Sequence, residues 1–124
     1  MIRRQKLEIY TKSTDSVAFE PLTNEGAKDA EIKVVIGKEQ GAPNFIMRIF
    51  RIAKNGHTPL HSHEWEHENY ILKGSGELRN SKGESKQIKQ GDVVLIPPFE
   101  EHQFYNSGNE ELVFICLIPI MDRV

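Results

Sequence analysis

The chain has 124 residues, of which 27% are charged, and its formal net charge is −2 at pH 7. It therefore lacks the excess of basic residues that a nucleic-acid partner would require. The longest apolar run, residues 112–118, is too short to cross a membrane. No apolar run of signal-peptide length follows the basic residues Arg3 and Arg4, and the single cysteine, Cys116, cannot form an internal disulfide. These features predict a cytoplasmic protein without a membrane or nucleic-acid partner.

In chain order, the apolar residues form short runs that are rich in Val, Ile, Phe and Tyr and that predict strands. The runs cover residues 7–10, 32–36, 45–52, 70–72, 93–96 and 112–118. Asn55-Gly56, Lys82-Gly83 and residues 107–109 are typical of hairpin turns. The polar segment 13–30 predicts a loop or one short helix. The whole pattern predicts an all-β sandwich or barrel, of which the jelly roll is one solution.

Four of the five histidines form a candidate metal site. His61 and His63 are two residues apart, so on a strand they point to the same face, and His67 keeps that parity if the strand continues. His102 belongs to a separate segment that the fold must bring close. Neutral imidazole suits Mn, Fe, Ni, Cu and Zn. The alternative is a set of surface histidines that captures metal opportunistically, but it does not explain a fourth histidine in a second patterned segment.

Residues 63–67 also match H-E-x-x-H, the pattern of zinc metalloproteases. That chemistry needs a helix, so that two histidines one turn apart share a face and the glutamate activates a zinc-bound water. Pro59 upstream and Gly74 and Gly76 downstream oppose a helix. The protease is therefore the less favoured interpretation.

Two groups of residues resemble the two motifs of the cupin superfamily. The first consists of Gly56, His61-Ser62-His63, His67 and Gly74, and the second of Gly91, Pro97, Phe99, His102 and Asn106. Phe99 stands where the family pattern usually has glycine. The resemblance implies a single-domain cupin jelly-roll β-barrel over residues 1–124, with a metal-binding core over about 44–119 and an N-terminal strand or arm over about 1–30.

By the same resemblance, which is to small bacterial cupins with a four-histidine site, the metal ligands are His61, His63, His67 and His102. Many members have a glutamate in the place of His67, so the adjacent Glu68 is either an alternative ligand or a group that orients a ligating ring. The expected cofactor is one divalent transition metal, with manganese expected first and iron, nickel, zinc or copper as alternatives.

Five further residues are candidates for a ligand pocket beside the metal. Arg48 interrupts an apolar strand and is either a clamp for a carboxylate or an ion-paired surface residue. Tyr70 and Gln103 could donate hydrogen bonds to a ligand, and Phe50 and Phe104 are expected in its walls or in the core.

Three functional hypotheses follow from this site. The first is a metal-dependent dioxygenase or decarboxylase that acts on a small carboxylic acid or polyol. The second is a non-catalytic metal-containing module that binds or senses a small molecule. The third is a barrel whose metal mainly stabilises the fold. By analogy with cupins of this size, the expected partners are a small-molecule ligand and a second copy of the chain, with residues 7–10 as an exchanged or added strand.

Overall fold

The computed structural model describes residues 8–121, and within this range the regular structure is almost entirely strand. The strands are β1 Glu20–Pro21, β2 Lys28–Ile36, β3 Phe45–His57, β4 His67–Lys73, β5 Ser75–Arg79, β6 Ser85–Lys89, β7 Val93–Ile96, β8 Gln103–Tyr105 and β9 Leu112–Pro119. Two short 3₁₀ turns cover Thr14–Ser16 and Lys38–Gln40. In this part of the chain, no helical segment has the length and apolar character needed to cross a bilayer.

All the strand pairs are antiparallel, and the sheet curls around the long strand β3. The order is β6-β5-β8-β3-β9-β4-β7, with β2 beside β3 and β1 beside β2. Strand β3 pairs with β9 along its first part, with β2 along that part and again at His57, and with β8 at His57. One strand thus belongs to both halves of the barrel, and the predicted all-β jelly-roll fold is confirmed.

The core lies inside the curl because burial alternates along the central strands. In β4 and β9, every second side chain is buried. Ile52, Ile71 and Leu112 are fully buried, and each contributes about 1.5–3 kcal/mol relative to an exposed side chain. Phe114 stacks on Phe104, with ring centroids 4.3 Å apart. The same alternation turns a few polar side chains of β4 and β9 toward the interior, where the candidate site lies.

The prediction of a hairpin turn at Asn55-Gly56 is wrong. Both residues lie within β3, and Asn55 has a φ of 66°. A Cβ on Gly56 would lie 2.7 Å from the carbonyl oxygen of Lys28, so only glycine fits there. The pairing of β2 with β3 shifts register at this point. The dipeptide therefore forms a bulge that bends β3, which local turn chemistry alone does not distinguish from a hairpin.

The other local predictions had mixed outcomes. Lys82-Gly83 lies in the predicted hairpin, between β5 and β6. Residues 107–109 connect β8 to β9, but these two strands pair with other partners and form no hairpin. Segment 13–30 holds one 3₁₀ turn, a loop, the short strand β1 and the first residues of β2. Of the possible exchanged strand, Leu7 lies outside the described residues, and residues 8–10 form no strand.

Candidate metal centre

Four histidine rings converge at one end of the barrel. His61 and His102 form an isolated antiparallel bridge, in which each backbone N–H donates to the other's carbonyl, at 3.1 and 2.9 Å. The centroids of His61 and His102 are 4.8 Å apart, those of His67 and His102 also 4.8 Å, and those of His63 and His67 5.4 Å. The fold thus brings the rings of all four predicted ligands into one cluster.

The premise that His61, His63 and His67 share a continuous strand is wrong. Only His67 belongs to a strand, because residues 62–66 form a bent loop before β4 begins. The carbonyl of His63 accepts a hydrogen bond from the backbone N–H of Phe99 at 2.7 Å, which ties this loop to the one before His102. His67 points inward from β4, and the rings of His61 and His63 converge with it because the two loops are joined. Since residues 63–67 form no helix, the geometry of an H-E-x-x-H protease is absent as well.

The ring nitrogens fit a cation at the centre of the cluster. Hydrogen bonds tie Nδ1 of His63 to the carbonyl oxygen of Trp65 at 2.7 Å and Nδ1 of His102 to that of Glu100 at 2.8 Å. Nδ1 of His67 lies 2.8 Å from the side-chain oxygen of Asn69. Because these oxygens only accept, each Nδ1 carries the proton and each Nε2 presents a lone pair.

Two of those lone pairs lie very close together. Nε2 of His67 is 3.0 Å from Nε2 of His102, and a cation between the two nitrogens would relieve the repulsion of their lone pairs. Two nitrogen ligands about 2.1 Å from one ion and at right angles to each other would also be about 3.0 Å apart. The ligand atoms of His61, His63 and His102 lie within 4.8 Å of one another. The donor set can therefore hold a metal ion.

Burial, together with the neighbouring rings, keeps three of the four rings neutral at pH 7. Burial, followed by the charge of His102, lowers the pKa of His67 to about 3, although the bond to Asn69 opposes the shift. Partial burial, followed by His102 and His63, lowers the pKa of His61 to about 4. Burial also lowers the pKa of His102. Neutral imidazole is the form that binds metal.

The cluster opens into a cavity of about 190 Å³. Its aromatic walls are Phe50, Trp65, Phe104 and Phe114. Arg48 projects into the same cavity from β3, with Nη2 2.8 Å from Sγ of Cys116 and with the guanidinium 5.0 Å from the centroid of Phe50. Nε of Arg48 is buried without a hydrogen-bond partner, and among the described residues no carboxylate pairs with this guanidinium.

Three of the predicted pocket residues, Arg48, Phe50 and Phe104, line this cavity, and two do not. Tyr70 is exposed on the outer face of β4, and Gln103 instead places its amide nitrogen 3.1 Å from the carbonyl oxygen of Thr58. Glu68 also lies on the outer face, because its neighbours His67 and Asn69 point inward. The predicted ligand or orienting role of Glu68 is therefore wrong, and Asn69 holds the ring of His67 instead.

Sequence reasoning missed several residues of the site. Asn69 lies two positions after His67, so its inward direction could have been inferred from strand periodicity. Trp65 stacks on His63 with ring centroids 4.4 Å apart. Cys116 is buried and also lines the cavity. Asn24 lines the cavity from a distant loop, and no local pattern indicates this placement.

The fold and the site together define the class of this protein. It is a jelly-roll barrel with a candidate metal centre formed by four imidazoles. The family model of the cupin domain matches residues 48–118, more than half of the chain. The chain belongs to this family. The position of Phe99 agrees with the family pattern, because its φ of 67° lies in the left-handed region that favours glycine.

Known proteins similar to the chain have diverse activities. It is 33% identical over 72 residues to 1-methylthio-D-xylulose 5-phosphate methylsulfurylase of Rhodospirillum rubrum, covering 58% of this chain and 46% of that protein. It is 40% identical over 63 residues to an oxalate-binding protein of Thermotoga maritima, covering 50% of this chain and 51% of that protein. The chain thus spans about half the length of these two relatives.

Among solved structures, the polyketide cyclase RemF from Streptomyces resistomycificus superposes with a TM-score of 0.84 at 31% identity. The superposition covers 90% of this chain and 80% of that one. Because the activities of these similar proteins differ, a function for this chain has to be argued from its own cavity.

Proposed function

We propose that this protein holds one divalent transition-metal ion through His61, His63, His67 and His102, and that it acts on a small carboxylic acid or polyol as a dioxygenase or decarboxylase. Manganese is the first expectation for the metal, and iron, nickel, zinc and copper are alternatives. The observation that carries the proposal is that the imidazole cluster and the guanidinium of Arg48 line the same small cavity. A relative that is named for binding oxalate gives further support.

The charges of the cavity select for an anion. No aspartate or glutamate is among its described lining residues, so a bound dication and Arg48 would face the ligand without a compensating negative charge. The guanidinium can donate to a carboxylate from two nitrogens. Arg48 would therefore bind and orient the ligand, while the aromatic walls exclude water from it. A divalent ion in the cluster would supply a Lewis acid that polarises the oxygen atoms of the ligand.

The second candidate function is a binding or sensing module without turnover. The observation in its favour is the same absence of a carboxylate among the described lining residues, which leaves the thiol of Cys116 and the histidines proposed as metal ligands as the proton-transfer groups of the cavity. Both functions predict metal-dependent binding of a small acid. They differ only in whether a product forms.

The test begins with elemental analysis of untagged protein for Mn, Fe, Co, Ni, Cu and Zn together. We expect about one equivalent of metal per chain, which is lost in His102→Ala. The matched control is His57→Ala, because the ring of His57 bonds the carbonyl oxygen of Thr58 and lies outside the cluster. A stable protein that neither contains metal nor takes up added manganese or iron would overturn the proposal.

The role of Arg48 is tested with the metal-loaded protein by calorimetric titration with oxalate and L-malate. Because a hydrogen bond to a charged group contributes about 1.5–3 kcal/mol, Arg48→Met should weaken binding by about 10- to 100-fold while the metal content stays unchanged. Arg51→Met is the matched control, since Arg51 lies on the same strand but pairs with Glu31 outside the cavity, at 2.8 Å. Equal affinity of the two variants would contradict this role. Assays for carbon dioxide release and dioxygen uptake then distinguish the enzyme from the binding module.

We also propose that the protein forms a homodimer through the outer face of β4, β7 and β9. Cross-strand pairing puts Val93 next to Tyr70 and Leu95 next to Glu68, and the two apolar residues of β7 are 76% and 58% exposed. Leu117 extends the same face across β9. An outward sheet face that meets water is normally polar, and a self-complementary apolar face is the usual basis of a two-fold dimer.

A further inference from the structure

The loop between β1 and β2 forms part of the cavity wall, although it lies far from both histidine motifs in the sequence. Leu22 and Asn24 of this loop line the cavity together with His61 and His102. The sequence between the two histidine motifs therefore does not contain the whole ligand site.

The loop is anchored at both of its ends. Leu22 packs against the hydrophobic core, and its backbone N–H donates to the carbonyl of Ala30 at 2.8 Å. At the other end, Gly26 has a φ of 90° and lies against Pro59, two residues before His61. A turn in which the N–H of Ala27 donates to the carbonyl of Asn24 at 3.0 Å fixes the backbone between the two anchors.

Asn24 is thus held at the cavity by its backbone, and its side chain is free to bind a ligand. The residue is exposed, and its amide makes no hydrogen bond to any of the described residues. The cavity volume of about 190 Å³ corresponds to about six water molecules. The cavity therefore has room for a ligand somewhat larger than a two-carbon diacid, and the histidine cluster and Asn24 both line it.

The following inference rests on the function proposed above. We propose that Asn24 is a second recognition point of the cavity. Its amide donates a hydrogen bond to the far carboxylate of a dicarboxylic acid of about four or five carbons. One end of this ligand, a hydroxy- or keto-carboxylate, faces the histidine cluster and Arg48. The other end reaches the mouth of the cavity, where the amide of Asn24 can donate to it. A dianion is the class of ligand that also matches the uncompensated positive charge of the cavity.

The test compares L-malate with L-lactate in the metal-loaded protein by calorimetric titration. Both acids have the same 2-hydroxycarboxylate head, and only malate has a second carboxylate. We expect malate to bind about tenfold more tightly than lactate to the unaltered protein. Asn24→Ala should weaken malate binding about five- to tenfold and leave lactate binding unchanged. Asn24→Asp, which is nearly isosteric, should weaken malate binding further, because it places a second negative charge beside the far carboxylate.

The matched control is Asn109→Asp, an exposed asparagine in the β8–β9 connection, away from the cavity. It should leave the affinities for both acids unchanged. Equal losses for malate and lactate in the Asn24 variants, or no loss for malate, would overturn the role of Asn24 while leaving the proposed function intact. If the unaltered, metal-loaded protein binds neither acid, nor oxalate, the proposed function itself fails and this inference fails with it.

Discussion

The most informative perturbation of the site is Asn69→Ala, because Asn69 orients a predicted metal ligand without being one. Its side chain is 4% exposed, and its oxygen accepts a hydrogen bond from Nδ1 of His67 at 2.8 Å. This bond fixes the tautomer that directs the lone pair on Nε2 toward the cluster. Without this acceptor, only the sulfur of Cys116, 3.4 Å away, remains as a partner of Nδ1, so the ring is held less firmly and Nε2 becomes less basic.

The magnitude follows from the general cost of removing a hydrogen-bond partner of a metal-ligating histidine. Such changes reduce metal affinity by about 10- to 100-fold, which corresponds to about 1.4–2.7 kcal/mol at 1.36 kcal/mol per factor of ten. Asn69→Asp keeps an acceptor for the same N–H and adds a negative charge. It should therefore retain or strengthen metal binding, which separates the loss of the hydrogen bond from the loss of side-chain volume.

Trp65 provides the assay because it is the only tryptophan of the chain and stacks on His63 with an interplanar angle of 9°. Titration of metal-free protein with Mn²⁺ against a competing chelator, followed by tryptophan fluorescence, gives the affinity of each variant. Asn109→Ala is the control for a surface asparagine. An affinity of Asn69→Ala within twofold of the unaltered protein would refute the reasoning that this bond orients the His67 ring.

Three other predictions concern stability and assembly. The free energy of unfolding of the metal-free protein should fall as the pH drops from about 6.5 to about 4. The reason is that the unfolded chain takes up protons in this range, whereas the folded rings of His61 and His67, with pKa values of about 4 and about 3, do not. Urea unfolding at several pH values measures this free energy, and a flat profile would contradict the prediction. Phe99→Gly should be about 0.5–1 kcal/mol more stable than Phe99→Ala in thermal unfolding, because φ is 67° at this position; equal stabilities would argue against left-handed backbone here. Leu95→Lys should convert the proposed dimer to a monomer in light scattering, whereas Lys86→Glu on β6, outside that face, should not; a monomeric unaltered protein would exclude the dimer.

Strands β2, β3, β4, β7 and β9 could be predicted from the sequence because each contains a local apolar run, whereas β1, β5, β6 and β8 lie outside the predicted runs and residues 8–10 of the first run form no strand. The run 112–118, for example, lies within β9, and its alternate residues face the core. The spacing of Gly91, Pro97 and His102 likewise indicated the family, which the match over residues 48–118 shows independently. Asn55-Gly56 was mistaken for a turn because a bulge and a hairpin use the same residue types, and only the pairing of β2 with β3 distinguishes them.

In the site, too, some features could be predicted from the sequence and others could not. The sequence by itself determined which imidazoles were available and suggested that Arg48 could meet an anion, because those inferences need only residue chemistry and motif spacing. Strand periodicity could have put Asn69 on the same face as His67 and Glu68 on the opposite face, but only the tertiary structure showed that the side-chain oxygen of Asn69 meets Nδ1 of His67. Only the tertiary structure placed Asn24 beside the cluster, because the curl of the sheet brings together segments that have no relation along the chain. Contacts between distant segments depend on how strands pair across the barrel, and that information is not contained in any local pattern.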